Sequence, residues 1–241
     1  MYVKTVIYPA AALFNGRETY FNSVLVEKLE KWGYGTNFPQ RDGFEFGNLK
    51  EALSGMVPDD QINSAVSTVI YYLDMGVLLT GSDVILANLD EPLDEGMVVE
   101  ASYGKLMGKF VVGIRTDIRS PYGRPDDDYG AMHFFPAFQT HRFISHYMPS
   151  RTPEERDTQI EDLALKIHDT IMEAKVSHQE TIPDYATDNP NLKPVFEGAE
   201  ILFHDIDDIH SPSGLKKIAS RYINNKNKLE KIMPKYIPKD K

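Results

Sequence analysis

Two carboxylates, Asp94 and Glu100, follow the apolar run Val84-Ile85-Leu86-Ala87, with Gly96 between them. The run reads as a buried strand, and Gly96 lets the chain turn tightly into a helix. In an open α/β sheet the ligand crevice lies beyond the carboxyl ends of the strands, so both carboxylates are expected to face a small molecule. With a helix starting near Gly96, Glu100 falls in the first turn, where free N–H groups favour the ionised form. An ionised, partly buried carboxylate is a competent nucleophile toward the anomeric carbon of a sugar. Glycosyl transfer with retention also needs a second group for the leaving group's proton. Asp94 and the more distant Asp74 are candidates for it. Each residue alone has a plainer reading. Asp94 suits a helix cap, Asp74 a solvated helix-end charge, and Tyr8 a packing position at a strand end.

The elements that must position these groups alternate between strand and helix. Residues 2–8 read as a first strand. It leads into Pro9-Ala10-Ala11-Ala12, a turn whose small side chains allow a ligand close to the backbone. A helix over Glu18 to Trp32 follows from Phe21, Val24, Leu25, Leu29 and Trp32 at helical spacing, and Gly33 and Gly35 stop it. Thr36 to Pro39 reads as a short strand. Gln40 to Asp60 reads as a long polar loop with a small helix near Leu49 to Leu53, of a length that is often functional. A helix from Gln61 to Leu73 precedes strand three (Val84 to Ala87). Then come a helix from Met97 to Met107, strand four (Phe110 to Ile114), a fifth strand over Arg142 to Tyr147 and an amphipathic helix from Pro153 to Lys175. Strands three and four are continuously apolar, the mark of strands covered on both faces by crossover helices. The expected fold is therefore α/β, a flavodoxin-like, doubly wound parallel sheet of about five strands. Residues 1–177 form the expected catalytic domain. Residues 178–241 form a C-terminal α/β extension, with a strand over Val195 to Phe203 and a basic helix over Gly214 to Met233, that serves as an interface or lid.

Composition narrows the function classes. The 241 residues are 41% hydrophobic and 26% charged, as in globular proteins. No apolar stretch approaches the roughly 18 residues that would span a bilayer, and the N-terminus lacks the zones of a signal peptide. A cytoplasmic protein with no membrane partner is expected. The absence of cysteine removes disulfides, thiolate nucleophiles and zinc-thiolate sites. A net charge of -10 opposes nucleic-acid binding; the basic stretch Lys216 to Lys241 reads as a solvated helix face. His204-Asp205-Ile206-Asp207-Asp208-Ile209-His210 matches no closed metal site and reads as a solvated turn, and Asp126-Asp127-Asp128 reads as an exposed loop. Gly108-Lys109 is a helix stop without a phosphate-loop pattern.

Asp94-Glu95-Gly96-Met97-Val98-Val99-Glu100, followed by Tyr103-Gly104 and Gly108-Lys109, resembles the signature of the nucleoside 2-deoxyribosyltransferase family. Three further pieces resemble the family in the same order: Ile7-Tyr8-Pro9-Ala10-Ala11-Ala12-Leu13-Phe14; Asp74 ahead of Ser82-Asp83-Val84-Ile85-Leu86-Ala87; and Gly113-Ile114-Arg115-Thr116-Asp117-Ile118-Arg119. The resemblance covers about residues 3–175. It implies a double displacement in which Glu100 attacks the anomeric carbon of a 2'-deoxynucleoside, expels the base, and passes the deoxyribosyl group to a second nucleobase. It further implies that Tyr8 hydrogen-bonds Glu100, that Asp74 and Asp94 bind the nucleoside and one of them protonates the departing base, and that Ala10, Phe14, Gln40, Asp42 and Gly96 border the substrate. The partners are then a 2'-deoxynucleoside and a free nucleobase, with no metal or organic cofactor, in a homo-oligomer. The chain departs from the family at Ala11-Ala12, where Gly-Pro is usual. It also carries Ala131-Met132-His133 where many members place an Asn that contacts the 5'-hydroxyl.

Two other readings stand beside this one. A deoxynucleoside or deoxynucleoside 5'-monophosphate N-glycoside hydrolase shares the fold, but relatives that hold the phosphate place Ser where this chain has Asp94. A carboxylate about 4 Å from a phosphate charge costs on the order of 4 kcal/mol per charge pair at an effective dielectric near 20. A non-enzymatic nucleoside- or nucleotide-sensing module is the third reading, since fold does not fix function.

Overall fold

Five short strands pair side by side, all parallel, in the order β2-β1-β3-β4-β5. The strands are β1 (Val6–Ala10), β2 (Gly35–Thr36), β3 (Val84–Asn88), β4 (Phe110–Arg115) and β5 (Arg142–Ser145). The computed structural model describes residues 4–124, 126–130 and 132–234; the outer residues of the expected first strand, Ala131 and the end of the Lys-rich tail lie outside them. The helices are α1 (Gly16–Lys31), α2 (Pro39–Asp42), α3 (Phe46–Leu53), α4 (Ile62–Leu73), α5 (Glu95–Leu106), α6 (Phe134–Ala137), α7 (Pro153–Glu173), α8 (Asp184–Thr187), α9 (Lys193–Phe203) and α10 (Pro212–Leu229). The strand order is that of the flavodoxin-like doubly wound sheet, whose ligand crevice opens where the winding reverses, between β1 and β3. Among the described residues no helix is long and apolar enough to cross a membrane.

The chain divides into two compact units. One holds the residues up to Asp42 together with Leu78–Ala186; the other holds Gly43–Val77 together with the chain from Thr187 onward.

In the first unit, alternation along the strands sends side chains to two different helix layers. Val84, Leu86, Val112 and Ile114 pack with Leu25 and Leu29 of α1 and with Ile160, Leu163 and Ile167 of α7. Ile85, on the opposite face, meets α5 at Gly104, where an added Cβ would lie 2.5 Å from Ile85 Cγ1. Gly104 therefore sets how closely α5 approaches the sheet. Gly104→Ala is expected to lower stability by about 1–3 kcal/mol through overpacking, seen as a drop in the urea unfolding midpoint. Asn15 starts α1 by accepting from the N–H groups of Arg17 and Glu18, and Thr152 starts α7 by accepting from Glu155 N–H. Below the sheet, buried Asp83 accepts from the backbone N–H of Val6 at 2.7 Å and of Gln179 at 2.8 Å. It also lies 3.1 Å from His178 Nδ1. The segment after α7 thus belongs with the sheet and does not begin a separate extension at residue 178.

The second unit is helical. Leu49 and Leu53 of α3, Val66, Val69 and Tyr72 of α4, Leu202 of α9 and Ile218 and Tyr222 of α10 share one core. The expected strand over Val195 to Phe203 is instead helix α9, so the extension is not α/β. Val195, Ala199 and Leu202 are buried, a spacing of four and three that is helical and not alternating. At Gly198 an added Cβ would fall 2.0 Å from Tyr72 Cε1, so this glycine lets α9 lie directly on α4. The expected long loop from Gln40 to Asp60 holds α2 and α3. The apolar edge of α3 is covered by helices more than a hundred positions later in the chain.

Candidate active site

β1 register and helix periodicity bring the central pair together. Tyr8 pairs with Ile85 across β1 and β3. Ile85 supports Gly104, and Glu100 lies one turn before Gly104 on the same face of α5. The Tyr8 side chain is fully buried and its hydroxyl donates to Glu100 Oε1 at 2.7 Å. Two groups 92 positions apart in the chain therefore share one hydrogen bond on the α5 face of the sheet.

Asp94 is the N-cap of α5. Its backbone is extended, and Oδ1 accepts from Met97 N–H at 2.7 Å. Gly96 leaves room for that carboxylate, since a Cβ there would sit 3.0 Å from Asp94 Oδ1. The capping reading of Asp94 is thus realised, and it coexists with a place in the crevice wall.

The electrostatics differ from the expectation. The helix begins at Glu95, so Glu100 is its sixth residue, beyond the first turn where unpaired N–H groups act most strongly. Burial dominates instead. It pushes the Glu100 carboxyl from 4.5 up to about 7; the Tyr8 hydrogen bond opposes the rise, and the Asp94 charge adds to it. Tyr8→Phe removes the opposing bond and is expected to move the Glu100 titration above 7. Asp94→Asn removes the adding charge and is expected to move it below 7. Carboxyl ¹³C NMR of the two variants against the parent measures both shifts; shifts of the same sign would contradict this assignment of causes.

A cavity of about 610 Å³ opens at the carboxyl ends of β1, β3 and β4. Its wall includes Asn15, Asn88, Asp90, Glu91, Asp94 and Asp117. Asp94 belongs to this wall; Tyr8 and Glu100 do not.

Sequence reasoning missed the brace that shapes the wall. Asp90 Oδ1 accepts from the backbone N–H of Thr116 at 2.6 Å and of Asp117 at 3.1 Å, and Oδ2 accepts from the Thr116 hydroxyl at 2.6 Å. Asp117 in turn accepts from Glu91 N–H at 2.9 Å and from Arg115 Nε at 2.9 Å. Arg115 is buried and also donates to the carbonyls of Gly130 and Arg119. The loops leaving β3 and β4 are thereby fastened to each other. The usable signal was an acid just after one strand and a Thr-Asp pair just after its neighbour.

The remaining expected site residues are more scattered. Ala10 is buried at the end of β1, while Phe14 is 79% exposed and its N–H donates to Glu18 Oε2. Gln40 Nε2 donates to the Thr19 carbonyl at 3.1 Å. Asp42 accepts from Phe38 N–H and from Arg41 Nε, both at 2.7 Å. Asp74 belongs to the second unit, where it follows α4 and opens a π-helical turn over Asp74–Leu78. Of the nine residues the sequence nominated, hydrogen bonding joins Tyr8 to Glu100, and Asp94 with Gly96 forms the start of the helix that carries Glu100. His204 lies 3.0 Å from both Glu200 and Asp205. Among the described residues no group of three or more His, Cys, Asp or Glu converges as a metal site would.

No family model and no curated protein matches the chain. The chain is similar to a solved structure of a conserved protein from Enterococcus faecalis V583, at 19% identity over 67% of this chain and 99% of that one, with a TM-score of 0.42.

Proposed function

We propose that this protein transfers a 2-deoxyribosyl group from a 2'-deoxynucleoside to an acceptor nucleobase through a covalent glutamyl intermediate. The observation that carries the reading is the 2.7 Å hydrogen bond from the buried Tyr8 hydroxyl to Glu100 Oε1. A phenol donating to one carboxylate oxygen fixes the carboxylate's orientation and leaves the other oxygen for attack. Orientation of this kind is a large part of what a covalent catalyst contributes. With its carboxyl near 7, Glu100 is substantially ionised at neutral pH.

In the first half-reaction a Glu100 oxygen bonds to C1' as the bond from C1' to the base nitrogen breaks. The electron pair of that bond leaves with the base, which takes a proton from a neighbouring acid, for which Asp94 in the cavity wall is placed. In the second half-reaction a nitrogen of the acceptor base attacks C1' and gives up its proton to the carboxylate that protonated the first base, while the ester to Glu100 breaks and Glu100 is regenerated as carboxylate. Tyr8 stays a positioning residue throughout. The sequence pattern around Asp94, including its spacing to Glu100, supports the same reading. The cavity wall holds Glu18, Asp90, Glu91, Asp94 and Asp117 against Arg17 and Arg119, a balance that favours an unphosphorylated sugar.

The test is incubation of a deoxynucleoside with a different free base, followed by HPLC. A swapped nucleoside supports transfer. Free base with free sugar would make the protein a hydrolase. Tight nucleoside binding without turnover across several donors would make it a sensor. A 2-fluorinated donor that slows breakdown of the intermediate should add its sugar mass to Glu100, read by intact and peptide mass.

A further inference from the structure

Four of the five carboxylates around the crevice already have protein donors: Asp90 and Asp117 in the brace, Asp94 at the helix cap, and Glu18 under Phe14 N–H. Glu91 differs. Its backbone N–H is held by Asp117 at 2.9 Å, so its place in the wall is fixed. Its Oε1 is buried and receives no hydrogen bond from the described residues. Buried acceptors without a donor are rare because desolvation leaves them uncompensated. The residue that carries it lines the same cavity as Asp94.

We propose that Glu91 is a further substrate-contacting residue, whose Oε1 accepts a hydrogen bond from a sugar hydroxyl of the nucleoside. The inference rests on the deoxyribosyl reading above and names a determinant of its specificity. In a deoxynucleoside the donors near the reacting carbon are the 3'- and 5'-hydroxyls. A phosphate in either place removes the donor and brings like charge to the carboxylate. Glu91 would therefore select for a free hydroxyl, while Glu100 performs the chemistry.

The experiment compares three donors: a 2'-deoxynucleoside, its 3'-deoxy analogue and its 5'-deoxy analogue. Each is assayed for base exchange with wild type, Glu91→Met and Glu91→Gln. With wild type, the analogue lacking the contacted hydroxyl is expected to lose about 10–100-fold in kcat/KM, as for a hydrogen bond to a charged group. Glu91→Met is expected to lose a similar factor on the complete donor, mostly in KM, and to stop distinguishing that analogue. Glu91→Gln keeps a carbonyl acceptor and is expected to recover part of the discrimination. If Glu91→Met does not fold, Glu91→Gln carries the test, a donor-specific loss supporting the contact. Loss by the same factor on all three donors, or no loss, overturns the role of Glu91 and leaves the deoxyribosyl reading standing. Wild type that exchanges none of the three overturns both.

Discussion

Glu100→Gln is expected to reduce base exchange at least about a thousandfold while leaving nucleoside affinity within about tenfold of wild type. The substitution keeps the size of the side chain and its Oε1, so Tyr8 can still donate to it. What it removes is a nucleophilic oxygen bearing charge, and an amide oxygen cannot form a stable bond to C1' that a base then displaces. Loss of turnover without loss of binding therefore isolates covalent catalysis from positioning. Wild-type levels of exchange in this variant would end the covalent proposal. The same change carries a stability consequence of definite sign. A carboxyl raised from 4.5 to about 7 binds more protons folded than unfolded between those values, so wild-type stability declines as pH rises through that window and levels off above it. The cost at pH 8 is up to about 3 kcal/mol. Glutamine does not titrate, so Glu100→Gln is expected to unfold at higher denaturant than wild type at pH 8. At pH 4, where Glu100 is protonated in both states, the difference should largely vanish.

The central strands β3 and β4 were readable because they are apolar without interruption, and only burial on both faces requires that; the short edge strand expected at Thr36 to Pro39 lies instead at Gly35–Thr36, and Pro39 opens α2. The helix α1 was readable because Leu25 and Leu29 recur on one face and Gly33 follows. The α9 segment misled because Pro194 and Gly198 weaken a helical reading and the stretch Val195 to Phe203 mixes apolar and polar residues. Its periodicity becomes decisive only once Tyr72 of α4 is seen to pack against Gly198. The insertion Gly43–Val77 was taken as loop and helix of the first domain. Its true neighbours lie in the C-terminal chain, and no local pattern announces a core assembled from two distant segments.

At the site, the spacing of Asp94, Gly96 and Glu100 was legible because capping and helix geometry are local. The Tyr8 contact was named through resemblance; what creates it is the register of β1 on β3 together with the close approach at Gly104. The acidity of Glu100 was misjudged for a physical reason. The favourable dipole effect fades within one turn, whereas desolvation depends on what the sheet places over the carboxyl, and that is a tertiary fact. Glu91 carried no signal at all, because an unpartnered oxygen becomes visible only after every possible partner has been located.

Asp90→Ala is expected to destabilise the first unit by about 3–5 kcal/mol, as removal of a hydrogen-bonded charged partner does, and to depress exchange well beyond what that loss explains. The aspartate receives three hydrogen bonds from Thr116 and Asp117, and its own N–H is held by Asn88 Oδ1 at 3.0 Å. Alanine strands two backbone donors and a hydroxyl just beyond the carboxyl end of β4. The consequence reaches the chemistry along the chain: the loop that Asp90 anchors continues through Glu91 to Asp94, and Asp94 fixes the first turn of the helix bearing Glu100. Freed from β4, that loop no longer holds Asp94 in the wall. Asp90→Asn is the control. Its carbonyl can accept from the two backbone N–H groups and its amide can donate to the Thr116 hydroxyl, so it should recover most of the stability. Urea unfolding of the three proteins, with exchange rates measured where each is fully folded, separates the two effects. An Asp90→Ala protein within about 0.5 kcal/mol of wild type, or one that is unstable yet fully active when folded, would show that the brace does not position the site.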